Sequence, residues 1–529
     1  QIAPGSPAYN IPLALSLSGA LSVPALEAAL GEVVRRHEVL RTVFAAVDGR
    51  PVQRILAARP LSLPLVDLAG LDAEAREKEL ARLVRREAEM PFDLGQGPLF
   101  RSRLLCLEPG EHALLLTQHH IVSDGWSLGL TVREGSALYA AFSSGRPSPL
   151  ADLELQYADF AVWQRQWLSE EVQEEQLAYW RRQLAGLPVL ELPTDRPRRA
   201  VRRQRGGSQA FTLSAGLSRS LMELGQREGA TLFMTLLTCL QILLSRYSGE
   251  DDLAIGTPVA NRRRLELEEL IGFFVNTLVL RGNLSGRPAF RDLLRHAREA
   301  ALEAYAHQDI PFEQLVEELQ PARDPSRTPL FQVMLALQNT PEAAAELPGL
   351  RVAGLEVETA TAKFDLTLAF AKQGELLEGV VEYDRDLFDA ATIRRMLGHF
   401  ERLAAAAVAG SPETPVAQLD LLSSAEREQL LGEWAARSRV HPFRAGVHES
   451  IVEAARRRPE ALALAWKGGN LSFGELAARA GRLARELRRR GVGPEVIVAV
   501  LLERSPELVV GSLAVLEAGG AYLPLDPAS

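Results

Sequence analysis

Gln118-His119-His120-Ile121-Val122-Ser123-Asp124-Gly125-Trp126-Ser127 is the stretch whose reading decides this fold. The apolar run before it, Ala113 to Thr117, reads as a buried strand, and Leu128 to Phe142 after it reads as a helix. The stretch therefore marks a turn from strand to helix. Side chains alternate along a strand, so His119 and His120 point to opposite faces and only one of them can face a given cavity. Asp124-Gly125 supplies the tight turn, and Asp124 is near enough in sequence to orient an imidazole or pair with an arginine. Ser127 is placed to cap the helix. A histidine beside a carboxylate is equipment for acid or base work near neutral pH. A metal needs three or four converging ligands; adjacent strand residues diverge, and no second His/Cys cluster completes a set. On the motif alone, structural and catalytic readings stand level.

Outward from that turn, 529 residues imply two to four compact units. A hydrophobic share of 47% with 24% charged residues is an ordinary globular balance, and a net charge of −9 argues against nucleic acid or an anionic membrane as the main partner. Cys106 and Cys239 both lie in apolar runs and read as core residues, which fits a reducing, cytoplasmic compartment. The longest uncharged apolar stretch, Gly229 to Ser245, is shorter than the ~20 residues a bilayer requires and reads as a buried helix capped by Thr231. The first residue is Gln1, so the true N-terminus is expected to be missing.

Ile11 to Leu17 alternates as a strand, and Ser22 with Pro24 opens a helix whose apolar face carries Leu26, Leu30, Val33 and Val34. Its end, Arg36 to Phe44, offers Arg36 and Arg41 either as a solvated helix end or as buried partners for Asp124. Leu71 to Glu89 reads as a charged amphipathic helix, and Phe100 to His120, turning at Pro109-Gly110, as the hairpin that delivers the His motif. The Tyr157 to Gln164 stripe reads as core, and the Pro- and Arg-rich run Leu187 to Arg205 as a solvated connection between two lobes. Two helices near 215–228 and 231–247 lead to a strand and loop over Asp251 to Arg262. Ile271 to Arg281 reads as a buried strand with a polar pair, Asn276-Thr277, that needs partners. Two further strands, Lys363 to Phe370 and Leu377 to Tyr383, a helix over Ala390 to Val408 and a Pro-containing linker follow.

His119-His120-x-x-x-Asp124-Gly125 with Trp126-Ser127 resembles the signature of the condensation domains of nonribosomal peptide synthetases. Further stretches resemble other motifs of that family in its order: Arg36 to Phe44, Tyr157 to Gln164, Gly256 to Arg262, Ile271 to Arg281, His307 to Glu313 and Arg323 to Leu330. The family's first motif is missing. Leu471 to Leu476 and Leu516 to Pro527 resemble the first two motifs of an adenylation domain, without its Gly-rich phosphate loop, so the fragment is not expected to activate an amino acid. Heterocyclisation domains carry an aspartate in place of His119, and epimerisation domains place Ser before Trp, whereas Trp126 precedes Ser127 here; the form is closer to domains that take an L-configured donor.

The resemblance implies an α/β (α+β) fold of two chloramphenicol acetyltransferase-like lobes in a V-shaped pseudo-dimer, plus the start of an adenylate-forming domain. The boundaries expected are 1–175 and 176–420 for the lobes, 421–446 for a linker and 447–529 for the fragment. It implies amide formation between a donor acyl or peptidyl thioester and an acceptor aminoacyl thioester. Both would arrive on phosphopantetheine arms of upstream and downstream carrier domains, with no cofactor or metal bound by the chain and the rest of the adenylation domain in cis. His120 is the residue expected at the attacking amine, as general base or as positioning group; His119 is expected to pack, Asp124 to hold the loop through an arginine, and Gly125 to let backbone approach substrate. Arg36, Arg41, Trp126 and Ser127 are expected to support the site, and Asn276, Thr277 and Arg262 to lie along a substrate tunnel. A silent carrier-docking domain and an acyltransferase using coenzyme A thioesters are the alternatives.

Overall fold

The computed structural model describes residues 5–321, 324–338, 347–355, 357, 361–435 and 446–527. It divides into two compact units, 1–424 and 425–529. Arg323 and linker residues 436–445 lie outside the described residues.

In the first unit the chain runs β1 (Asn10–Gly19), α1 (Val23–Arg36), β2 (Thr42–Val47), β3 (Arg50–Ile55), β4 (Leu65–Asp67), α2 (Ala73–Glu89), β5 (Phe100–Glu108), β6 (Glu111–His119), α3 (Gly125–Phe142), α4 (Tyr157–Trp167) and α5 (Glu170–Gln183). It continues with β7 (Gly206–Leu213), α6 (Ala215–Arg227), α7 (Leu232–Ser248), β8 (Asp252–Val259), β9 (Asn276–Asn283), α8 (Phe290–Ala306), α9 (Phe312–Leu319), β10 (Val333–Gln338), β11 (Leu350–Leu355), β12 (Leu366–Gln373), β13 (Leu376–Asp384) and α10 (Ala390–Ala409).

Two sheets organise these elements. The first has the order β11-β1-β6-β5-β4 and the second β7-β13-β12-β10-β8-β9. Each is mixed, with helices supplying the other layer, which is the α/β class expected. Every strand of the first sheet comes from the first 119 residues except β11, which pairs antiparallel with the free edge of β1 from Ala14↔Leu355 to Gly19↔Leu350. The cores follow the sheets. Leu17, Leu30, Val33, Leu114, Leu116 and Leu138 sit in one cluster, and Leu237, Leu243, Ile255, Leu280, Leu335 and Phe400 in another. The expected lobe boundary at 175/176 falls inside α5, and Leu168, Leu177 and Trp180 pack with the second core.

Local signals place the helices. Ser22 accepts from Ala25 N–H at the start of α1, and Thr231 accepts from Met234 N–H at the start of α7. Gly249, at φ +77°, closes α7 in the left-handed conformation a C-terminal cap requires. No single helix among the described residues is long and apolar enough to cross a membrane, and the middle of α7 is core.

The second unit holds helix Val447–Arg457, the hairpin Leu462–Trp466 with Gly469–Ser472, helix Phe473–Arg489, and a parallel pair, Ile497–Leu501 and Ala521–Leu525, joined through helix Pro506–Ala518. The quoted Leu471 to Leu476 motif is a reciprocal cap: Ser472 accepts from Glu475 N–H at 3.3 Å, and Glu475 accepts from Ser472 N–H at 2.9 Å.

Candidate active site between the two lobes

The hairpin β5–β6 carries His119 to the end of β6, and His120 opens a single short turn before α3. The two imidazoles diverge, as alternation requires. His119 packs against Tyr9 and edge-on to Phe92, and its Nδ1 accepts from Ile121 N–H at 3.1 Å. That acceptor role puts the proton of the neutral ring on Nε2. His120 donates its backbone N–H to Tyr9 O at 2.8 Å and sets its ring edge-to-face with Phe273, centroids 5.0 Å apart. The His120 Nδ1 is buried and has no hydrogen-bond partner among the described residues. Burial, and then the charge of Lys363, pull both imidazoles down to about 4; for His120 the Asp124 carboxylate and nearby backbone oppose this weakly. Both rings are neutral at physiological pH.

Asp124 does not orient either imidazole. It caps α3, with Oδ1 accepting from Ser127 N–H at 2.8 Å and from Arg262 Nη2 at 3.3 Å, while Oδ2 accepts from Phe274 N–H at 3.0 Å. The cap is thus Asp124 and not Ser127, because the Asp oxygen reaches back to the third helical N–H. Ser127 is freed for a longer reach: its hydroxyl donates to Gly272 O and accepts from Gly272 N–H and Arg262. Trp126 Nε1 donates to Glu268 O at 3.0 Å. Gly125 is exposed, its backbone is not left-handed, and a Cβ there would meet nothing within 4 Å. The glycine therefore leaves open space at the start of α3 instead of making the turn.

The arginine partner of Asp124 is Arg262. Arg36 and Arg41, expected in that role, are committed elsewhere: Arg36 Nε donates to Glu134 at 3.1 Å, and Arg41 binds Glu38 and Leu56 O. Arg262 is almost fully buried, stacks on Phe274 at 4.0 Å, and donates to Leu267 O and Leu270 O as well as to Asp124 and Ser127. A left-handed Asn261, φ +52°, turns the chain so that Arg262 enters the first lobe.

Ile271 to Val275 is not strand. Side chains of the first lobe hold its backbone: Ile271 N–H donates to His37 Nδ1, Ser127 takes both groups of Gly272, Tyr157 O–H donates to Phe273 O at 2.8 Å, and Asp124 takes Phe274 N–H. Donors spent on side chains cannot join a ladder. At Gly272 a Cβ would lie 2.2 Å from the Tyr157 ring, so the segment fits there only as glycine. Asn276 is fully engaged: it donates to Gln308 O and Ile310 O and accepts from Phe312 and Thr277 N–H groups, which makes it a fastener of β9 and leaves it no free polar group for substrate. Thr277, half-buried, pairs with Pro258 in the sheet.

Sequence reasoning passed over His37, Glu134 and Phe273. Glu134 on α3 accepts from Arg36 and binds His37 Nε2 at 2.9 Å, so His37 links α3 to the Ile271 segment. An acid on an otherwise apolar helix face was the available signal for Glu134. Of the Tyr157 stripe, read as core, Tyr157 and Phe160 pack with Phe274 while Val162 and Trp163 are exposed, and burial pushes the Tyr157 hydroxyl up to about 12. Among the described residues no cluster of three His, Cys, Asp or Glu is placed to hold a metal.

The comparisons agree with this geometry. The family model described as "Condensation domain" matches residues 1–431, and that of "AMP-binding enzyme" matches 451–529. Chondramide synthase cmdD of Chondromyces crocatus is 47% identical over 530 residues, covering 100% of this chain; the chain spans only 14% of that relative's length. The X-domain from teicoplanin biosynthesis is 33% identical with a TM-score of 0.73, over 79% of this chain and 94% of that one. AB3403, a four-domain nonribosomal peptide synthetase solved bound to AMP and glycine, is 25% identical with a TM-score of 0.73, over 99% of this chain and 40% of that one. With the His-His-Asp-Gly turn held between two sheets as described, the chain belongs to the condensation-domain family over residues 1–431, followed at 451–529 by a fragment of an AMP-binding enzyme.

Proposed function

We propose that the chain forms amide bonds in nonribosomal peptide synthesis, joining a donor acyl or peptidyl thioester to the amine of an acceptor aminoacyl thioester. Both substrates are read as phosphopantetheine-borne on carrier domains upstream and downstream. The observation that carries this reading is His120: a neutral imidazole at the turn into α3, set edge-to-face with Phe273, whose segment the first lobe clamps.

A neutral ring always has a lone pair to offer. His120 accepts a hydrogen bond from the attacking amine, aims its lone pair at the thioester carbon, and passes the surplus proton toward the departing sulfur. A base held near 4 is weak, so alignment of two tethered reactants carries more of the rate than proton abstraction does. Helix geometry leaves the Gly125 N–H at the start of α3 without an intrahelical partner, and it is the backbone donor on offer to the carbonyl oxygen. Asp124, Arg262, Ser127 and Trp126 hold this turn in place; Arg36 does so one step removed, through Glu134.

The proposal extends to an L-configured donor and a cytoplasmic setting, the latter supported by two unpaired cysteines. The AMP-binding fragment leaves Ile497, Leu501, Tyr522, Leu523 and Leu525 exposed on a two-stranded sheet, apolar faces that the remainder of an adenylation domain would cover. The test uses the full chain with one carrier domain charged with N-acetyl-aminoacyl groups and another with aminoacyl groups, each drawn from the twenty protein amino acids, and reads amide product by mass spectrometry. His120→Ala is expected to lose about 10²–10⁴-fold in rate. Equal rates in both would remove His120 from the chemistry, and no product from any pair would favour the silent docking domain.

A further inference from the structure

Arg198 and Arg202, expected to be solvated, are mostly buried in ion pairs with Asp365 and Asp384. Another buried charged group, Arg36, His37 and Glu134, lies in the first lobe and reaches the site. His37 is 1% exposed and follows the last turn of α1, where its N–H donates to Val33 O at 3.1 Å. Glu134 stands on α3, the helix that the His-His-Asp-Gly turn opens, and is buried too. Its carboxylate accepts from Arg36 Nε at 3.1 Å, and its Oε2 lies 2.9 Å from His37 Nε2. Burial works against this charge, but the bond to His37 and the nearby Arg36 outweigh it and hold the carboxyl below its ordinary range.

The other ring nitrogen fixes the tautomer. Ile271 N–H donates to His37 Nδ1 at 3.3 Å, so Nδ1 offers its lone pair, and the proton of the neutral ring sits on Nε2, where Glu134 accepts it. The backbone on either side of the ring is pinned as well: Gln156, at the start of α4, accepts from Glu38 N–H and donates to Arg36 O, both at 3.0 Å. The next residue, Tyr157, donates to Phe273 O, so the end of α1 and the start of α4 hold the same segment. Two residues on from Ile271, the Phe273 ring meets that of His120 edge-to-face, centroids 5.0 Å apart. Ser127 and Asp124 secure Gly272 and Phe274, and His37 secures the end where the segment enters.

We propose that His37 is a positioning residue for amide formation: neutral, with its proton shared with Glu134, it offers Nδ1 to Ile271 N–H and so holds Phe273 where that ring sets the plane of the His120 imidazole. The inference rests on the amide-forming reading above. His37 acts only through Ile271, and no bond forms or breaks at its ring in the reaction. Without that acceptor the buried Ile271 N–H is unpaired, and the segment must shift to find another partner. Phe273 shifts with it, the His120 ring turns, and its lone pair leaves the line along which the amine approaches.

The experiment compares the full chain with His37→Asn and His37→Gln in single-turnover amide formation, using the carrier pair on which the wild type is active. The Asn side-chain oxygen falls where Nδ1 stood and can accept from Ile271 N–H. The Gln amide reaches the place of Nε2, keeps Glu134 bonded and leaves Ile271 N–H bare. His37→Gln is expected to lower the rate at saturating carriers by about 10–10²-fold at unchanged half-saturating concentrations, and His37→Asn to stay within about threefold of wild type. Phe273→Leu should cause a loss like that of His37→Gln, and the double variant should be no slower than the slower single one. A wild-type rate in His37→Gln overturns the proposal, as do equal losses in the Asn and Gln variants that follow their melting temperatures, or losses that multiply in the double variant. Should His37→Gln not fold, His37→Asn decides alone: a rate within about threefold of wild type supports the acceptor role, and any larger loss overturns it. These outcomes defeat the positioning role alone; no product from wild type with any pair defeats it together with the reading on which it rests.

Discussion

Replacing Asp124 by Asn should unfold the first unit at lower temperature for a reason that can be localised to one pair. The carboxylate is 1% exposed and serves three donors: Ser127 N–H, Phe274 N–H and the Arg262 guanidinium. An amide keeps one acceptor, turns an NH₂ toward one of those donors, and leaves the buried Arg262 charge uncompensated. Breaking a buried pair by removing one member costs about 3–5 kcal/mol. Unfolding entropy of about 2.1 cal/mol/K per residue over a unit spanning 1–424 gives roughly 0.9 kcal/mol/K, so the melting temperature should fall by about 3–6 °C. Calorimetry of the full chain, resolving the transition of the larger unit, reads this directly. A double-mutant cycle then assigns it. Asp124→Asn with Arg262→Met should depart from additivity by at least about 1 kcal/mol, while Asp124→Asn with Arg36→Met should add within about 0.5 kcal/mol. Strong coupling to Arg36, or a loss below about 1 kcal/mol for Asp124→Asn alone, would refute the assignment of Arg262 as its partner.

Acid should weaken the first unit between pH 6.5 and 4. His119 and His120 are held at about 4 against an ordinary 6.5, so the unfolded chain binds two protons the native state refuses, and stability falls as pH drops through that window. Urea midpoints against pH should lose this slope in a His119→Gln/His120→Gln variant; an unchanged slope would count against the depressed values. Gly125→Ala should leave the melting temperature unchanged within about 1 °C, since its Cβ meets nothing, yet slow amide formation by filling space meant for substrate; full activity would place the substrate elsewhere. Gly272→Ala should do the reverse in origin: its Cβ overlaps the Tyr157 ring, so a loss of about 1–3 kcal/mol is expected, read by denaturant titration, with activity falling because Phe273 loses its anchor.

The fold class was readable because its carriers are local. Alternation in Ile11 to Leu17, the Pro109-Gly110 hairpin and the Thr231 cap each act within a few residues, and each produces the expected element. The site was readable in composition but not in wiring. That Asp124 needs an arginine follows from its chemistry; that it takes Arg262 and not Arg36 depends on Asn261 turning a distant loop into the first lobe, which no local pattern encodes. The same holds for Ile271 to Val275, whose apolar letters read as strand while its N–H groups are claimed by side chains more than a hundred residues earlier. Lys363 shows the extreme case, since nothing in Thr361-Ala362-Lys363-Phe364 hints that a ring from position 9 lies over it.

The addition of β11 to the edge of β1 has a consequence for how the protein is made. A ribosome finishes β6 at His119, but the strand that covers the β1 edge ends at Leu355. At roughly 5–20 residues per second, the intervening chain takes on the order of 10–50 s to emerge. For that interval the nascent first sheet presents a ten-residue strand, Asn10–Gly19, with one row of backbone donors and acceptors open to any passing extended chain. Separating the lobes at the gene level would make that interval permanent, so a first lobe expressed by itself should aggregate through this edge, and a peptide carrying Leu350–Leu355 supplied in trans should suppress it.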